Sequence, residues 1–130
     1  GHPFANEEVG RAVAALSRQG LRARVGAHAR ARREDVEAAL ASGAGFLGVF
    51  LCVSPDRLRD RGLSLAAAID GAAEVVALAR KRRPGLVIRF TPEDGVRSPM
   101  ADVAATAATN FIGSHLYYDT ADDAVWTGAA

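Results

Sequence analysis

Residues 45–53, GFLGVFLCV, form an unbroken apolar run that follows Gly43 and is stopped by Ser54-Pro55. Such a run has the length of a strand and the composition of one buried on both faces, as in parallel sheets whose crossovers lay helices against them. The flanking sequence supplies helices of the right length. Asn6 is a good cap for a helix in which Val9, Ala12, Val13 and Leu16 recur at helical spacing, with Glu7 and Glu8 at its positive end and Gly20 as its stop. Residues 21–27 read as a strand, 33–42 as a second helix with Val36, Ala39 and Leu40 on one face, and Gly43 ends it. After the apolar run a charged loop leads to Ser64, the cap of the longest helix. Its inner face is Leu65, Ile69, Ala72, Val75, Val76 and Leu78, and Lys81, Arg82 and Arg83 close it. Pro84-Gly85 turns the chain into a third strand, 86–90. Ser98-Pro99 opens another helix, residues 110–118 read as a fourth strand, and Thr120 to Asp123 resembles a capping box for a last short helix. Strand–helix alternation with short loops predicts one α/β domain over residues 1–130, a parallel sheet with helices outside it.

Charge and composition narrow the function. The formal net charge is +1, so no global field draws in nucleic acid or an anionic membrane, and no stretch approaches the roughly 18 apolar residues of a membrane span. A single cysteine, Cys52, excludes an internal disulfide framework. With no basic-then-apolar leader at Gly1-His2-Pro3, the expected location is the cytoplasm.

In parallel α/β folds ligands meet the carboxyl ends of the strands. That rule selects His28 and Arg30, then Ser54 and Asp56, then Arg89-Phe90-Thr91-Pro92-Glu93-Asp94, then His115 with Tyr117, Tyr118, Asp119 and Thr120. The third cluster is the most informative. If its strand persists through Glu93, Arg89, Thr91 and Glu93 share one face, so that a cation, a hydroxyl and a carboxylate point at one small anionic ligand. The same spacing also fits an Arg–Glu ion pair at a strand end. His28 fits a hydrogen-bonded rim residue as well as a catalyst, and His115 with Asp119 supplies two donors of the three that a metal needs.

Taken together these segments resemble the homocitrate synthase, isopropylmalate synthase and citramalate synthase family, metal-dependent β/α barrels that condense acetyl-CoA with a 2-oxo acid. Gly1-His2-Pro3 is similar to the family's turn after the second barrel strand, and His28-Ala29-Arg30 to the His-x-Arg ending the third. Val53-Ser54-Pro55 with Arg57 is similar to the fourth, and Arg89-Phe90-Thr91-Pro92-Glu93-Asp94 with Arg97-Ser98 is the most specific match. The resemblance implies that Arg89 and Thr91 bind the carboxylates of the oxo acid and that His28 and Arg30 line the same pocket. It places Glu93 near the acyl-CoA methyl, where it assists proton transfer. His115-Leu116-Tyr117 is similar to a His-x-His metal motif in which Tyr117 replaces the second histidine, so His115 is a vestigial ligand and a divalent metal is not expected to be retained. The family's first strand, most of its second and its Ala-Asp-Thr strand have no counterpart here. A closed eight-stranded barrel takes about 250 residues. The expectation is therefore about half of such a barrel, four parallel strands with flanking helices, completed by self-association into a homo-oligomer. Two alternatives stand beside condensation: a metal-free small-molecule binding or cyclase-type enzyme on the same scaffold, and a non-catalytic partner of a fuller paralogue.

Overall fold

The computed structural model describes residues 1–110, 116–117 and 125–126. The chain opens with helix α1 (Glu7–Ser17), whose first turn is closed by Asn6: its Oδ1 accepts from the backbone N–H of Glu8 at 2.8 Å and of Val9 at 3.3 Å. Gly20 leaves the helix at φ +63°, a conformation in which a Cβ would be strained. There follow β1 (Gly26–Arg30), α2 (Arg33–Ala41), β2 (Phe46–Cys52), α3 (Pro55–Asp60), α4 (Leu65–Arg82), β3 (Val87–Glu93), a single 3-10 turn (Gly95–Arg97) and α5 (Met100–Asn110). The strands run parallel in the order β1-β2-β3, with Gly26, Phe46 and Val87 in one register row and His28, Gly48 and Arg89 in another.

One face of this sheet is the core. Ala27 and Ala29 of β1, Leu47, Val49 and Leu51 of β2, and Ile88 and Phe90 of β3 are buried against Val36 and Ala39 of α2 and Ala68, Ala72, Val75, Val76 and Ala79 of α4. The alanines on both sides let α2 lie close to β1, which is why a helix of low apolar content still packs there. The Ser64 hydroxyl caps α4 by accepting from Ala67 N–H at 3.1 Å, and Arg80, Lys81 and Arg82 occupy its negative end.

Four expectations change. The first strand lies at Gly26–Arg30 rather than 21–27, because burial begins at Ala27 while Leu21 stays half exposed; His28 and Arg30 therefore sit within the strand. The charged segment after Ser54 is not a loop but the short helix α3, with Pro55 at its first position, where its missing N–H costs nothing, and Leu58 buried beneath it. α1 buries Val13 alone, and Leu16 of its apolar stripe stays 43% exposed. Last, the parallel sheet has three strands among the described residues. The described part of the expected fourth strand, β4 (Leu116–Tyr117), pairs antiparallel with β5 (Val125–Trp126) in a separate ladder, a local pairing with a small loop-closure cost. His115 and the expected helix after Thr120 lie outside the described residues. No helix among the described residues is long and apolar enough to cross a membrane.

Candidate functional site

The other face of the sheet carries the polar residues. Strand period two places Gly26, His28 and Arg30, then Phe46, Gly48, Phe50 and Cys52, then Val87, Arg89, Thr91 and Glu93 on it. β3 does persist through Glu93, so Arg89, Thr91 and Glu93 share this face as the spacing predicts. Across the strands the rows read His28–Gly48–Arg89, Arg30–Phe50–Thr91 and Cys52–Glu93.

The row through Gly48 is shaped by what it lacks. A Cβ on Gly48 would lie 2.9 Å from Nδ1 of His28 and 3.0 Å from its Cε1, closer than real side chains approach. The imidazole thus lies over the bare backbone of β2, the close approach for which a strand glycine is suited. Burial lowers the His28 pKa, and the Arg89 charge, the N-terminal ammonium and His2 add to the effect, so the neutral ring is favoured. On the far side of Gly48 the Arg89 guanidinium lies 5.8 Å from the ring centroid of Phe46, a cation–π contact. Its Nε is buried with no hydrogen-bond partner, and no carboxylate among the described residues pairs with it. The Arg89–Glu93 ion pair that the spacing also permits is therefore not formed. A buried guanidinium N–H left unmatched costs free energy unless an acceptor arrives.

Arg30 is held quite differently. Its Nε and Nη2 donate to Oδ2 and Oδ1 of Asp35 at 2.7 and 2.9 Å, a bidentate fork, and its backbone N–H reaches Oδ2 at 3.2 Å. His2 Nε2 meets the same Oδ2 at 2.6 Å. Asp35 is fully buried in the first turn of α2; burial alone would raise its pKa, but the hydrogen bonds from Arg30 and His2 hold it below the ordinary carboxylate range. Sequence reading singled out Arg30 and missed Asp35. The available signal was an acidic residue at the start of α2, which by itself reads as a helix-dipole partner. The N-terminal segment is drawn onto β1 as well: Gly1 O accepts from His28 N–H, and the His2 ring packs edge-on against Phe50 with centroids 6.0 Å apart.

The rim beyond β2 and β3 opens into a cavity of about 470 Å³ lined by Arg30, Phe50, Cys52, Glu93 and Asp94 together with Arg57, Arg61 and Arg97. Glu93 is exposed at its edge and Thr91 half-buried. Among the described residues no three of His, Cys, Asp or Glu gather where one ion would reach them, and His115 lies outside those residues.

No protein-family model matches the chain. Curated relatives do. It is 36% identical over 104 residues to a homocitrate synthase of Pyrococcus abyssi, covering 79% of this chain and 28% of that protein. A homocitrate synthase of Pyrococcus horikoshii is 33% identical over 99 residues, 75% of this chain and 27% of the relative. A probable 2-isopropylmalate synthase of Ignicoccus hospitalis is 31% identical over 101 residues, 77% and 25%. The chain spans about a quarter of the length of the relatives it matches. An α/β sheet carrying His28, Arg89, Thr91 and Glu93 on one face and this shared sequence lead to the same place: the chain belongs to the homocitrate synthase and isopropylmalate synthase family.

Proposed function

We propose that the open face of the sheet is the 2-oxo acid wall of a carbon–carbon condensing site that uses an acyl-CoA. The observation that carries this reading is the buried, unpaired Nε of Arg89 on the same strand face as Thr91 and in the same row as His28. A carboxylate matches the guanidinium fork, and one that displaces what covers Nε supplies the missing acceptor. Thr91 adds a hydroxyl donor, and His28, its neutral ring favoured, stands across Gly48 from Arg89 without a competing positive charge. Glu93, at the strand's end, takes a proton from the methyl of the acyl thioester. The resulting carbanion attacks the 2-oxo carbon, forming the new C–C bond, and the former oxo oxygen is protonated to a hydroxyl. Water then cleaves the thioester and CoA leaves as the thiol.

Among the described residues the parallel sheet ends in two edge strands, β1 and β3, and the N-terminal segment meets β1 at Gly26 and His28. We infer that the site is completed by a second copy of the chain, in barrel-like pairing of sheet edges. A monomer in light scattering at micromolar concentration would exclude that assembly.

Titration of the protein with a panel of 2-oxo acids tests the binding step. Thiol release from acetyl-CoA, with magnesium, manganese or zinc added in turn, tests the reaction. The reading requires 2-oxo acid binding that Arg89→Gln abolishes. Absence of binding by the parent protein, or binding indifferent to that substitution, overturns it.

A further inference from the structure

The cavity at the rim contains more positive charge than a 2-oxo acid held at Arg89 can use. A smaller cavity of about 300 Å³ adjoins it and shares Arg30, Phe50, Cys52, Arg61 and Glu93. Two of the arginines in the larger space are already matched. Arg30 is forked onto Asp35, and Arg97 Nε donates to Asp94 Oδ1 at 2.6 Å. Arg57 and Arg61 pair with no carboxylate among the described residues, although acidic residues are close by in sequence. Asp56, in the first turn of α3, is taken by Arg59. Arg57 in α3 and Arg61 at its C-cap are four apart, so they stand one above the other on the same side and line the same cavity. Like charges in that relation repel. The repulsion is relieved by an anion that both guanidiniums can grip.

We propose that Arg57 and Arg61 form a phosphate subsite for the far end of the ligand whose reacting end lies at Glu93, an inference that rests on the acyl-CoA reading above. Guanidinium forks match phosphate oxygens, and a phosphate or diphosphate has the charge density to bridge two of them. Glu93 sets the direction. Its carboxylate lines the same cavity and repels a phosphate from the sheet, whereas Asp94 is neutralised by Arg97. The anionic end of the ligand therefore points outward to α3, and the uncharged thioester end points inward to Glu93.

The test compares CoA, dephospho-CoA, pantetheine and inorganic pyrophosphate by titration calorimetry, with the parent protein, Arg57→Gln/Arg61→Gln and Arg59→Gln. Both target arginines are exposed, so the double variant keeps the core intact. The parent is expected to bind CoA about tenfold or more tighter than pantetheine, the effect of charge-assisted hydrogen bonds. That advantage should shrink towards unity in the double variant, survive in Arg59→Gln and weaken with added salt. Dephospho-CoA reports whether the subsite takes the diphosphate or the 3′-phosphate. An equal affinity for CoA and pantetheine in the parent, or an advantage that persists in the double variant, overturns the proposal for CoA. Pyrophosphate bound by the parent and not by the double variant, without any CoA advantage, would keep the phosphate subsite and assign it to another phosphate-bearing ligand. Binding of 2-oxo acids, measured alongside, is expected to be unchanged in the double variant. Its absence in the parent would sink the condensation reading while leaving the phosphate result readable.

Discussion

The same three strands present two faces that obey opposite rules. On the helix-covered face the side chains are apolar, and those from Ala27 and Ala29 through Leu47, Val49 and Leu51 to Ile88 and Phe90 are buried, with Pro92 half-buried at the end of β3. On the open face the alternate residues are His28, Arg30, Arg89, Thr91 and Glu93, separated by Phe46, Gly48 and Phe50. The first face holds the fold together by removing apolar surface from water. The second leaves a buried guanidinium N–H unmatched, which an optimised core would not do. Buried apolar and open-face polar side chains thus alternate between odd and even positions of a single strand, and substitutions one residue apart should have unlike consequences.

The largest effect is expected at Phe90, fully buried between sheet and helices: Phe90→Ala should cost about 3–5 kcal/mol of unfolding free energy by denaturant titration. Its neighbour supplies the contrast. Arg89→Gln should change stability by no more than about 0.5 kcal/mol, since it removes an unmatched donor, yet abolish 2-oxo acid binding. If Arg89→Gln unfolds the protein, the division between faces is wrong.

Asp35 tests where the division breaks down, because it lies under the sheet's edge and serves the open face. Asp35→Asn should cost about 2–3 kcal/mol, as it leaves the Arg30 fork and the His2 ring without their carboxylate. A loss under about 0.5 kcal/mol would show that the cluster is ornamental. Gly48→Ala is expected to cost about 1–2 kcal/mol and to displace the imidazole, seen as a shift of the His28 ring signals in NMR spectra. Unmoved His28 resonances would mean that the ring does not rest on the glycine.

The smallest effect concerns acid. The folded pKa of His28 lies below its ordinary value of 6.5, so as pH falls the unfolded chain binds the proton first. The contribution to stability is full above that value and is lost as pH drops through the window beneath it. Asp35, also lowered, adds a second loss, at pH below its ordinary value of 3.8. His28→Gln should flatten the upper part of the pH–stability curve and leave the lower part in place.

Much of this was legible from local pattern. The run through residues 46–52 announced the central strand, Asn6 and Ser64 announced their helices, and the Arg-x-Thr-x-Glu spacing placed a cation, a hydroxyl and a carboxylate on one face. α3 was missed because its charged sequence has no apolar stripe beyond Leu58, and its proline reads equally as a stop and as a first turn. The sequence pattern points to a first strand too early because alternating arginines at 22 and 24 imitate a half-buried strand, whereas alanines at 27 and 29 give little β signal of their own.

Periodicity is information about neighbours along the chain, and it determined which residues of each element face together. The partners across the sheet were decided only by folding. Parallel register brings His28, Gly48 and Arg89 into one row from segments far apart in sequence, and α2 delivers Asp35 to Arg30 and His2. No residue type at any of those positions foretells its opposite number, because a shift of register by one would preserve every local propensity and exchange the two faces of the strand. Burial of the apolar set beneath α2 and α4 selects the register, and the site inherits it.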